Sequence, residues 1–164
     1  MLIRHVLAIA VLPFTMTVVV PFWIARSYGV VVELGRSPGA VVLQCAGVLL
    51  LVPGIVLFLS SLRRFAGDGQ GTLAPWDPPK RLVIRGPYRH VRNPMISGVA
   101  FVIAAESLLL TSVPHLVWAL GFVGINLIYI PLVEEPQLAR RFGDEYQEYC
   151  RRVPRLFPSL RPRA

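Results

Sequence analysis

Four apolar stretches, each close to 20 residues long and nearly free of charge, constrain this chain more than any other feature. They are Val6–Ala25, Gly39–Leu62, Met95–Val113 and His115–Val133. A bilayer core about 30 Å thick needs about 20 helical residues to cross it. Polar interruptions are few: Gln44 in the second stretch, Glu106 midway along the third and Asn126 in the fourth. Only 16% of the residues are charged and mean hydropathy is +0.58, whereas soluble domains carry about 25% charge. The expectation is an all-α membrane protein of about four transmembrane helices, forming a single membrane domain over residues 1–164, with two N-terminal spans within 1–62. The first stretch is longer than a signal-peptide core and no small-residue cleavage site follows it, so it reads as a retained helix. The Pro53-Gly54 pair predicts a kink in the second.

The charges are segregated. Net charge is +8, yet 15 of the 17 basic residues fall in three segments: Arg4, the Gly- and Pro-rich loop 63–94, and the tail from Glu134 onward. Short connections carry only Arg26 and Arg36. Basic loops stay on the cytoplasmic side, so both termini are expected there. This one-sidedness accounts for the charge without a nucleic-acid partner. Cys45 and Cys150 fall on opposite sides of this topology, which argues against a disulfide. His5, His90 and His115 are scattered, and no metal-ligand spacing is present.

The third and fourth stretches are joined by a tight turn at Thr111–His115 and form a helical hairpin. Its two polar ends therefore meet at one membrane surface. One end is Gly86-Pro87-Tyr88-Arg89-His90-Val91-Arg92-Asn93-Pro94; the other is Glu134-Glu135. Cations and an amide facing a carboxylate pair suit a zwitterionic ligand. Beyond them, Leu138, Phe142, Tyr146 and Tyr149 recur at spacings of three or four, opposite Arg140, Arg141, Glu145, Glu148, Arg151 and Arg152. That pattern predicts a C-terminal amphipathic helix, interrupted at Gly143, on the cytoplasmic surface. Tyr146 and Tyr149 read as packing residues, and Arg155 as a cation within reach of a carboxylate.

The run Leu82-Val83-x-x-Gly86-Pro87-Tyr88-x-x-x-Arg92-Asn93-Pro94-Met95-x-x-Gly98 resembles the signature of isoprenylcysteine carboxyl methyltransferases and bacterial phospholipid methyltransferases. So does Glu134-Glu135-x-x-Leu138-x-x-x-Phe142-Gly143-x-x-Tyr146-x-x-Tyr149-x-x-x-Val153-Pro154-Arg155, and Gly71-Thr72-Leu73-Ala74-Pro75 is similar to bacterial members. The resemblance covers residues 63–158, the expected catalytic core. It implies an enzyme of the bacterial inner membrane that uses S-adenosylmethionine to methylate a lipid-like or small amphipathic acceptor drawn from the bilayer. Leu82, Val83, Tyr88, Asn93, Pro94, Met95 and Glu134 stand where such proteins line the cofactor site. Arg92, Gly98 and Glu135 belong to the same motifs and are taken as cofactor-binding with them. Asn93 replaces the His of many members, and Ile96 a Tyr. Ile130 stands where carboxyl methyltransferases hold their substrate with Arg, which turns the expectation away from a prenylcysteine carboxylate.

Methyl transfer from a sulfonium demands alignment and exclusion of water more than acid–base help. Glu135 and Arg92 are the candidate catalytic groups, Glu135 as proton acceptor for an amine. Glu106, Asn126 and Ile130 are expected to line the acceptor cavity. Two other classes fit a hairpin of this kind: a sterol-reductase-like membrane reductase using a nicotinamide cofactor, and a non-catalytic membrane subunit.

Overall fold

The computed structural model describes residues 10–68 and 81–163, and among them every regular element is helical. A π-helical segment, Ala10–Val19, runs directly into helix α1, Val20–Tyr28. Helix α2 spans Pro38–Asp68, and the Pro53-Gly54 pair lies inside it. A short 3-10 turn, Gly86–Arg89, precedes helix α3, Pro94–Leu109. Helix α4, Val113–Tyr129, passes through a π-helical turn, Ile130–Glu134, into helix α5, Glu135–Arg152. The Gly71–Pro75 motif, Arg4 and the start of the first apolar stretch lie outside the described residues.

Local chemistry sets these boundaries. Gly29 adopts a left-handed φ of 62° and ends α1, its N–H donating to Ala25 O. Pro94 opens α3, at a position where the missing N–H costs nothing. Thr111, with φ 46°, turns the chain between α3 and α4. Pro131 lacks the N–H that the helical ladder requires, and the chain widens into the π turn around it.

Two expectations change here. The third apolar stretch stops being helical at Leu109, so α3 has 16 residues, about 24 Å at 1.5 Å per residue. Glu106 therefore sits in its last turn and not midway along it. The fourth stretch does not end at Val133 either: the helix continues through Glu134 into the amphipathic segment, and the break falls at Gly143 (φ 56°, ψ −134°).

Helices α2 and α3 pack antiparallel with their backbones nearly touching. A Cβ placed on Gly98 would meet Phe58 N at 2.8 Å and Gly54 O at 2.9 Å; one on Gly47 would meet Leu109 Cγ at 2.8 Å. Gly47, Gly54 and the fully buried Ser61 recur every seven residues along that face. Such small-residue stripes let helices approach where lipid removes the hydrophobic drive to associate. The first helical segment lies against α4, where Trp118 Nε1 donates to Met16 O at 3.2 Å. His115 Nε2 donates to Pro21 O at 3.1 Å and its Nδ1 accepts from Ser112 Oγ at 2.8 Å, which satisfies a fully buried ring. Val99, Ile103 and Ala119 form the core between these helices. Gln44 Nε2 donates to Glu33 O at 2.9 Å and Leu109 O at 3.4 Å, tying the 29–37 connection to the end of α3.

The outer surface is apolar. Residues 38–64 and 113–152 are each long and apolar enough to cross a bilayer, and only 17% and 11% of their apolar windows are buried. Leu49, Val42, Val117 and Leu120 point outward and are exposed. A soluble core helix would hide such side chains; their exposure identifies a membrane protein with its apolar faces toward lipid.

Candidate functional site

The hairpin's two polar ends meet. Asn93, the residue just before α3, donates from Nδ2 to Glu134 Oε2 at 3.0 Å across 41 positions of sequence. Pro94 fixes where α3 begins, and the π turn fixes where Glu134 faces. Glu134 lies just beyond the apolar stretch that ends at Val133. Burial pushes its carboxyl up to about 7; the neighbouring Glu135 adds to the shift and the Asn93 hydrogen bond opposes it. Among the described residues only its Oε2 is engaged.

Glu135 is held quite differently. Arg155 grips both its oxygens, Nε to Oε1 at 2.7 Å and Nη2 to Oε2 at 2.9 Å. Arg92 Nη1 reaches Oε1 at 2.8 Å and also lies 2.9 Å from Cys150 Sγ. The hydrogen bonds to Glu135 hold the Arg155 guanidinium firmly charged. Two guanidiniums share this carboxylate, which anchors Glu135 between α5 and the C-terminal segment. Arg92 is committed to the same anchor, yet its Nε is buried without a partner.

Behind these groups, Tyr146, Tyr149 and Val153 form a second core with Leu82, Leu138 and Phe142 around it. Tyr149 donates its hydroxyl to Tyr88 O at 2.7 Å, and burial raises both tyrosine hydroxyls. The aromatic stripe of α5 therefore serves packing, and holds the Leu82–Tyr88 segment in place.

Residues 153–163 form a strap across the mouth of the hairpin, a feature the sequence reading missed. Arg92 N donates to Pro154 O at 2.8 Å and Asn93 N to Arg155 O at 3.2 Å. Ser97 Oγ donates to Leu156 O at 2.6 Å. Farther along, Ser159 N donates to His90 O at 2.9 Å and Arg163 N to Arg89 O at 2.9 Å. His90 Nδ1 donates to Ser159 O at 2.7 Å. Irregular backbone pairing of this kind leaves no periodic signature; its only trace was Arg155.

Of the expected site residues, Val83, Tyr88, Asn93 and Pro94 are buried and Leu82 and Met95 are half-buried. Gly98 turns toward α2, where it serves helix packing. The proposed grouping of Glu106, Asn126 and Ile130 does not form. Asn126 lines a cavity of about 80 Å³ with Ile96, Ser97, Phe122 and Leu156. Glu106 lies at the opposite end of the hairpin, its Oε2 buried and without a hydrogen bond. Ile130 is fully buried and lines neither described cavity. Among the described residues no group of His, Cys, Asp and Glu is arranged to hold a metal.

Lipid-facing helices with a buried polar bridge at one end of their hairpin define an integral membrane protein whose polar site sits where the apolar spans stop. The chain belongs to the phospholipid methyltransferase family, whose family model matches residues 42–145 and so includes both arms of the bridge. It is similar to the methanethiol S-methyltransferase of Mycobacterium tuberculosis, with 37% identity over 71 residues, 43% of this chain and 28% of that protein. It is also similar to methanethiol S-methyltransferase 2 of Bradyrhizobium diazoefficiens, with 37% identity over 73 residues, 44% of this chain and 27% of that one. The match thus spans under a third of either relative's length. No solved structure matches the chain.

Proposed function

We propose that the chain is a membrane methyltransferase that uses S-adenosylmethionine at the cytoplasmic face of the inner membrane. The observation that carries this reading is the Asn93–Glu134 bridge, formed within a methyltransferase family match. The donor set fits the amino-acid end of the cofactor. Glu134 offers a carboxylate oxygen for an ammonium, while Asn93 and the orphaned Arg92 Nε offer N–H groups for a carboxylate. When bound, S-adenosylmethionine supplies a methyl group already activated by a positive sulfur.

What remains for the protein is placement. Glu134 and Asn93 hold the polar end. Glu135, clamped between Arg92 and Arg155, fixes the strap and keeps Arg92 in position. Tyr88, Pro94 and the strap exclude water. The cavity at Ser97 and Asn126 begins one helical turn past Asn93 and takes the reacting end of the acceptor. Its small size and apolar wall suit a compact nucleophile such as a thiol or the headgroup amine of a lipid. A thiolate needs no base; an amine releases its proton to water at the polar end. The family match favours methyl transfer over a nicotinamide-dependent reduction.

Calorimetry on the purified protein tests this. S-adenosylhomocysteine should bind and reduced nicotinamide dinucleotide should not. The reverse result, or binding of neither, overturns the reading. An acceptor screen with radiolabelled methyl donor then separates thiols from lipid amines.

A further inference from the structure

A second, larger space shares a wall with the small cavity at Ser97 and Asn126. It is an open groove of about 570 Å³ between α2, α3 and the strap. Val56 and Leu57 of α2 line it, and Pro158 and Pro162 of the strap close one side. Val56 is 60% exposed, so the groove opens toward the lipid. Phe101 of α3 lines the groove and the small cavity alike. The strap also borders both, with Leu156 and Phe157 at the cavity and Pro158 and Pro162 at the groove. Phe101 is therefore the side chain of α3 that stands between the two spaces. Its base is fixed by helix packing: a Cβ on Gly54 would meet Phe101 Cβ at 2.9 Å, so α2 lies directly against it.

We infer that Phe101 sets the length of the methyl acceptor and confines it to a short, uncharged thiol. The inference rests on the methyl-transfer reading and goes further by naming the residue that filters the acceptor. The small cavity measures about 80 Å³. A cavity of about 150 Å³ takes a benzene ring, so one of this size takes about three heavy atoms. Ser97 and Phe101 lie about one helical turn apart on α3, so a chain extending from a reacting atom near Ser97 meets the Phe101 ring. No charged side chain lines the cavity, and the Ser97 hydroxyl is already given to Leu156 O. An ammonium finds no counter-ion there, whereas a thiol needs none. In the transfer, the acceptor sulfur bonds to the methyl carbon as the carbon–sulfonium bond breaks. The bonding pair leaves with S-adenosylhomocysteine, and the thiol proton goes to water. Removing the Phe101 ring joins cavity and groove, and a longer chain then has room along Val56 and Leu57.

The test compares the parent, Phe101→Ala and Phe101→Leu in one detergent, so that micelle partition cancels between proteins. Calorimetry with S-adenosylhomocysteine first shows that each variant is folded with its cofactor site intact. In the parent, kcat/KM for ethanethiol should exceed that for octanethiol about tenfold or more. Phe101→Ala should cut this ratio below about threefold by gaining octanethiol turnover, and Phe101→Leu should fall between. Binding without methyl donor gives an independent readout. Methyl octyl sulfide should bind Phe101→Ala about tenfold more tightly than the parent. Adding Val56→Trp, which fills the groove from its exposed edge, should take that gain away. A ratio and a sulfide affinity unchanged in both Phe101 variants, or a gain that survives Val56→Trp, overturns the inference. So does a parent that binds S-adenosylhomocysteine yet methylates lipid amines and no thiol, a result that the methyl-transfer reading survives. Failure of the parent to bind S-adenosylhomocysteine removes that reading, and the inference with it.

Discussion

The α2–α3 interface and the polar mouth of the hairpin each hold α3 to its neighbours, by opposite means. Along the interface, glycine lets backbones meet: Gly98 faces Phe58 and Gly54 with no room for a methyl group. At the mouth, long side chains bridge wider spaces: Arg92, Arg155 and Glu135 form a cluster that ties α3, α5 and the strap. The difference follows from the solvent on each side. Within lipid, burying apolar surface gains little, so close packing must supply the attraction. Where the apolar spans stop, charges can be desolvated against one another, and the geometry of a bidentate pair fixes direction as well as distance.

If that contrast is right, the largest loss of stability comes from the smallest change of side chain. Gly98→Val pushes branched carbons into the backbone of α2, where nothing flexible can yield. We expect it to cost about 3 kcal/mol or more, at the upper end for an overpacked core site. The thermal midpoint in detergent measures it. A midpoint within a degree or two of the parent would show that the helices are held by something other than close approach.

Glu135→Ala attacks the other means. Two guanidiniums would be left facing each other, Arg92 with 11% of its side chain exposed. Breaking a buried pair costs about 3–5 kcal/mol; partial exposure of Arg155 lowers the expectation to about 2–3 kcal/mol. The strap should loosen with it. Hydrogen exchange at Arg92 and Asn93, whose N–H groups the strap accepts, should quicken much more than exchange in the core of α3. Equal protection in parent and variant would rule out Glu135 as the anchor.

How much of this was legible in the sequence differs between the two regions. The interface was half visible: the lengths and apolarity of the stretches announced helices in lipid. The 16-residue α3 was not, because nothing in its composition marks Thr111 as left-handed. The bridge between Asn93 and Glu134 followed from simple topology, since two arms of similar length bring their ends together. The roles of the two glutamates did not. Adjacent acids read alike in sequence, and only the three-dimensional position of Arg155 separates the clamped one from the available one. Glu106 was misplaced for the same reason that α3 was: a helix end shifted by one turn moves a polar group from mid-membrane to the rim.

The two glutamates give the next contrast. Glu134→Gln should leave the thermal midpoint nearly unchanged, because Asn93 can hydrogen-bond an amide as well as an acid. It should nevertheless weaken S-adenosylhomocysteine binding about a hundredfold, or about 2.7 kcal/mol, while Glu134→Ala should abolish it. Unchanged affinity in both variants would remove Glu134 from the site.

The finest test is the pH profile, because burial raises the Glu134 carboxyl of the site to about 7. A carboxyl raised to about 7 is mostly protonated in the ligand-free protein below that pH. On its own it stabilises the empty fold most below its ordinary value of 4.5, and that contribution is lost as pH rises through about 7. Ligand binding runs the other way, since an ammonium needs the ionised form. Affinity for S-adenosylhomocysteine should therefore be flat above about pH 8 and fall about tenfold from pH 8 to pH 6, or about 1.4 kcal/mol. Glu134→Gln should bind weakly with no such slope. A parent profile that stays flat from pH 8 to pH 6 would mean that Glu134 is ionised throughout, and that its burial is relieved by a partner other than Asn93.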